Sequence, residues 1–213
     1  MHITKNISRN LPWVLFVIVL FIPAIAWMQN LGWQPARITA FSLFPLLGIW
    51  AWSIMWTHYA YGAIRLKNPQ FRENILYSKL SGYIVLLLLL AHPGILAWEQ
   101  KKRLGILPPG SFFSYVANSM RIFIVLGTIG LVIFLSYEFF DRLQEKTWVQ
   151  KNRRWISLSQ MIAMGLIFIH GLGIGQNINS GWLELYWIML GLLLFFCFLV
   201  IGKADWKREP TST

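Results

Sequence analysis

Apolar residues do not follow a soluble core pattern along this chain. They fall in long windows separated by short polar connections, at Leu11–Met28, Ile38–Ile64, Ser78–Trp98, Ile122–Phe140, Trp155–Ile174 and Trp182–Ile201. About 20 apolar residues in a helix cross a bilayer core about 30 Å thick. Inside lipid the backbone must satisfy its own hydrogen bonds, which a helix does. The expected fold is therefore an all-α integral membrane protein, a bundle of six transmembrane helices. The connections are too short for a second domain, so residues 1–213 read as one transmembrane domain. Pro23, Pro45 and Pro93 fall inside windows and mark kinks, ordinary where neighbouring helices satisfy the freed carbonyls.

Composition removes the soluble alternative. Of the 213 residues 56% are hydrophobic and 13% charged, with a mean hydropathy of +0.54, whereas a soluble domain is about a quarter charged. The single Cys197 allows neither a disulfide framework nor a cysteine metal site. A net charge of +11 would suit nucleic acid, but the basic residues lie in short loops beside the windows, so no nucleic-acid partner is expected. Fourteen of the 19 fall before window one, between two and three, between four and five, and after six. This bias predicts that both termini are cytoplasmic, and the chain is expected in the plasma membrane as a multi-pass protein. Lys101, Lys102 and Arg103 are the local contradiction, only partly neutralised by Glu99. Trp13–Ile22, then Pro23 and Ala24-Ile25-Ala26, resembles the apolar region and cleavage site of a signal peptide. Five further spans need anchors of the same kind, so the first window is read as retained.

Ionisable residues at bilayer depth carry the functional signal, because burying them is costly unless they are paired or functional. Three histidines qualify: His58 in window two, His92 in three and His170 in five. Windows three and five run in the same direction. His92 follows Tyr77 by 15 residues and His170 follows Trp155 by 15, so both imidazoles sit about 22 Å from the cytoplasmic boundary at 1.5 Å per residue. Two imidazoles at one depth on two parallel helices can clamp a planar metal macrocycle, the geometry of bis-histidine haem b. A lone membrane histidine is otherwise an interhelical hydrogen bonder worth about 1 kcal/mol or less. The shared depth shifts the reading toward one haem b per chain, with His92 and His170 as ligands to the haem iron. Gly94 and Gly171 leave space beside them, and Gly173 and Gly175 would let a bulky ring approach.

Lys79-Leu80-Ser81-Gly82 followed by His92-Pro93 resembles the third helix of the ferric reductase-like transmembrane domain family. That family includes the haem-binding subunit of the bacterial methionine sulfoxide reductase system and NADPH oxidase membrane cores. Leu126-Gly127, Arg153-Arg154-Trp155 and His170-Gly171-Leu172-Gly173-Ile174-Gly175 are similar to its fourth helix and to the start and end of its fifth. The resemblance covers residues 38–176, about two thirds of the chain. Many members carry an inner histidine pair on the same two helices; here those positions are Ser78 and Ser157. The resemblance therefore implies a one-haem variant that keeps the outer site. It also implies a separate electron donor, a flavoprotein or quinol, since no flavin or nicotinamide domain is present. The outer-face acceptor would be ferric iron or a partner protein.

His58 lies in the opposite leaflet among Trp56, Tyr59 and Tyr61. It reads either as a contact to a flavin or quinone near the inner face or, preferred, as an interfacial histidine in an aromatic belt. Arg121, at the start of window four, is the best partner for a haem propionate, with Arg37 second; snorkelling to the headgroups is the alternative for both. Two function classes stay open. One is a haem b electron-transfer protein, whose status as an enzyme the sequence leaves undecided. The other is a haem-free scaffold or small-molecule transporter with structural histidines. The second is weakened because Glu138, Asp141 and Glu184 all lie near window ends, leaving no acidic relay in mid-membrane.

Overall fold

The computed structural model describes residues 2–142, 146–175, 178 and 181–207. The side chains of Glu138 and Asp141 and the end of the polar tail lie outside the described residues. Among them every regular element is helical: α1 (His2–Asn30), α2 (Ala40–Lys67), α3 (Ile75–Leu104), short α4 (Gly110–Phe113), α5 (Arg121–Arg142), short α6 (Thr147–Lys151), α7 (Arg153–Ile174) and α8 (Trp182–Lys207). Six of these are long and apolar enough to cross a membrane, so the chain is a multi-pass membrane protein in a lipid bilayer environment.

Each apolar window falls within one long helix or nearly so, but three helices run well past theirs: α1 starts nine residues before Leu11, and α3 and α8 each end six residues beyond Trp98 and Ile201. In α3 hydropathy ends at Trp98, but the helix runs on to Leu104 and stops at Gly105, whose φ of +71° is the left-handed conformation that glycine adopts freely. Lys101, Lys102 and Arg103 thus lie in the last turn of α3 rather than in a loop. Cations there interact favourably with the carbonyl end of the helix dipole, and Arg103 Nε is 3.6 Å from Glu99 Oε2.

α2 is the hub. It starts at a capping box, with Thr39 accepting from the Ser42 N–H and Ser42 accepting from the Thr39 N–H. Its most apolar window is 56% buried, against 17–28% for the other five spans, as expected of a helix surrounded by other helices. Its indoles fasten it to three neighbours, since a buried Trp N–H needs an acceptor. Trp50 donates to the Leu20 carbonyl of α1 (2.9 Å), Trp52 to Met164 of α7 (3.1 Å) and Trp56 to Leu190 of α8 (2.9 Å). The closest pairings are α2 with α3 and α5 with α7. The result is two helix pairs, with a cavity between them near the end that carries the α3–α5 connection.

Candidate functional site

α3 contributes His92 and α7 contributes His170 to one cavity of about 470 Å³, a size typical of small-molecule sites. Its walls are apolar. Trp52 and Trp187 meet at 4.2 Å between ring centroids at its inner side, and Phe168 stacks on Trp187 at 5.9 Å. Pro108, Phe112 and Tyr115 line it from the α3–α5 connection. Among the described residues no charged side chain lines it, and the polar side chains include the two imidazoles, Thr128 and Tyr115. Burial pushes the Tyr115 phenol above its ordinary pKa, so it stays protonated and can donate.

The two histidines are held by the same device, built once in each helix pair. His92 Nδ1 lies 2.6 Å from the Phe44 carbonyl oxygen of α2, and His170 Nδ1 lies 2.7 Å from the Phe123 carbonyl oxygen of α5. A carbonyl only accepts, so Nδ1 is the protonated nitrogen of each ring and donates. Four residues after each acceptor stands a glycine. A Cβ at Gly48 would lie 2.9 Å from Nδ1 and Cε1 of His92, and one at Gly127 would collide with His170 Nδ1 and lie 2.6 Å from its Cε1. Because a Cβ leans toward the N-terminus of its helix, it would cover the carbonyl one turn back. Each glycine therefore exposes the carbonyl that fixes the ring.

With Nδ1 committed, Nε2 of both rings keeps its lone pair, and neither has a hydrogen-bond partner among the described residues. No three His, Cys, Asp or Glu residues gather among those residues. Two nitrogen donors are too few for a bare zinc ion, which takes four ligands. They suit axial ligation of an iron whose macrocycle supplies the other four. The apolar walls would suit such a group, and the carbonyl bonds are of the kind that orient metal-ligating histidines.

The remaining candidates lie elsewhere. His58 faces α3, away from the cavity lining. Ser81 Oγ donates to the Tyr77 carbonyl at 2.5 Å and so accepts from His58 Nε2–H at 2.8 Å. Thr57 donates to the Ile54 carbonyl at 2.6 Å and accepts the Tyr77 hydroxyl. Ser157 donates to Asp205 at 2.9 Å, and neither it nor Ser78 lines the cavity. Arg121 is exposed, its guanidinium 6.0 Å from the Phe113 ring centroid, beside the cavity's roof rather than in it. Arg37 is exposed in a turn. Arg103, unselected in the sequence, lies 4.7 Å over Phe41, whose ring meets Phe44 and Tyr115.

Two features escaped the sequence reading. The Phe-x-x-x-Gly spacing at Phe44–Gly48 recurs at Phe123–Gly127, and only the partner helix's register shows its purpose. Gly171, read as space beside the ligand, and Gly173, read as room for a bulky ring, admit the protein's own Trp187 and Phe123. No family model matches this chain, and no curated protein or solved structure matches it.

Proposed function

We propose that the cavity binds one haem b with His92 and His170 Nε2 as its axial ligands, and that the chain is a transmembrane electron carrier of the ferric reductase-like kind. The observation that carries this reading is the duplicated seat: two imidazoles in one tautomer, each bonded through Nδ1 to a carbonyl and each presenting Nε2 to the same apolar space. Bound haem supplies a one-electron iron couple whose potential depends on ligand identity, hydrogen bonding and burial. The chain's residues set each of these. Phe44 and Phe123 accept from the ligand rings and raise their basicity. The Trp52 and Trp187 side of the cavity keeps water out. Tyr115 lines the roof and the guanidinia of Arg103 and Arg121 stand beside it, where they could serve as donors to carboxylates.

In this reading both termini are cytoplasmic, the membrane is the plasma membrane, a separate flavoprotein or quinol supplies electrons, and the acceptor lies at the outer face. The test is the visible spectrum of the purified full chain. A low-spin haem b spectrum at one haem per chain is expected, with the absorption lost in His92→Ala and in His170→Ala. A colourless wild-type protein expressed with ample haem, or full haem content in both variants, would overturn the reading.

A further inference from the structure

Far from the cavity, at the other end of the bundle, the last three turns of α8 carry a groove formed by Phe198, Leu199, Gly202, Lys203 and Trp206. The spacing places all five on one side of the helix. Phe198 closes the deep end, its ring edge-on to Tyr59 of α2 at 5.2 Å. Gly202 makes the notch: a Cβ there would meet nothing within 4 Å. Toward the membrane boundary the lining becomes cationic and aromatic. Lys203 is exposed, and the Arg154 guanidinium of α7 reaches across to lie 5.9 Å over the Trp206 ring. The nearby acid, Asp205, is turned to Ser157 of α7 at 2.9 Å.

We infer that this groove binds one anionic phospholipid, its phosphate between Lys203 and Arg154 and an acyl chain along Leu199 and Gly202 toward Phe198. The surroundings decide the occupant. A lipid-facing groove at a span end is filled by lipid, and two cations beside an interfacial Trp select a negative headgroup. The length agrees: Phe198 precedes Trp206 by eight residues, about 12 Å of helix, so the groove runs from headgroup level well into the acyl region. The inference is independent of what the histidine cavity holds.

The test titrates the delipidated full chain in detergent with phosphatidylglycerol and with phosphatidylcholine, reading bound lipid by native mass spectrometry. Phosphatidylglycerol should bind more tightly. Arg154→Gln and Lys203→Gln should each weaken it about five-fold, because a basic residue near an anionic headgroup contributes about that much. Lys203→Arg should retain the affinity. Gly202→Leu, which fills the notch and leaves both charges, should also weaken phosphatidylglycerol binding. Millimolar inorganic phosphate should not displace the lipid. Equal affinity for the two lipids, unchanged affinity in both Gln variants, unchanged affinity in Gly202→Leu, or displacement by phosphate would each overturn the inference.

Discussion

A carbonyl oxygen inside a helix has a second lone pair, normally screened by the side chain one turn on. Gly48 and Gly127 lift that screen where His92 and His170 need an acceptor. The two residues differ in tolerance. At Gly48 a methyl would stand 2.9 Å from the ring, whereas at Gly127 it would overlap Nδ1, so Gly127→Ala should be the more damaging. Overpacking of this kind costs about 1–3 kcal/mol. Thermal unfolding in detergent should show Gly127→Ala less stable than Gly48→Ala. Gly165→Ala on the same helix as His170 should be neutral or better, since a Cβ there meets nothing within 4 Å. If all three variants unfold alike, the glycines have no part in seating the rings. The histidine pair was legible in the sequence because equal spacing from two helix starts converts directly into equal depth. The carbonyl seats were not, because a hydrogen bond to backbone leaves no side-chain signature in the partner helix.

At the scale of single helices, hydropathy located the spans well because lipid imposes a length on each. It ended α3 too early because Glu99 through Arg103 are polar yet still helical, continuing to the Gly105 stop. His58 shows the opposite limit. Its place in an aromatic neighbourhood was readable, but its role in joining α2 to α3 through Ser81 depends on which faces meet. The chains from His58 through Ser81 to the Tyr77 carbonyl, and from Tyr77 through Thr57 to the Ile54 carbonyl, are locally satisfied without a ligand. Interhelical bonds of this sort are worth about 0.6 kcal/mol on average in a membrane protein. His58→Phe should therefore lower thermal stability slightly and leave the visible spectrum and reduction potential of any bound haem unchanged. A spectrum or potential that moves with His58 would tie that histidine to the cavity's chemistry.

For the whole molecule, six crossings would put both termini on one side, and the charge distribution is what the proposed orientation rests on. The structure weakens the one contrary signal. Lys101, Lys102 and Arg103 sit on the last turn of α3, where the helix dipole favours them, and Arg103 is held by Glu99 and Phe41. They have a local structural reason to be there, so they need not act as a topology signal. The proposed cytoplasmic placement of both termini then rests on the remaining bias toward the α2–α3 and α5–α7 connections and the chain ends. Reporter fusions in the α7–α8 connection and at the C-terminus should report opposite sides, with the C-terminus cytoplasmic. Replacing Lys101, Lys102 and Arg103 together by Gln should leave both reporters unchanged. Fusions on the same side would remove the orientation from which the depth of His92 and His170 is counted. Reversal by the triple substitution would show that these three residues do direct insertion.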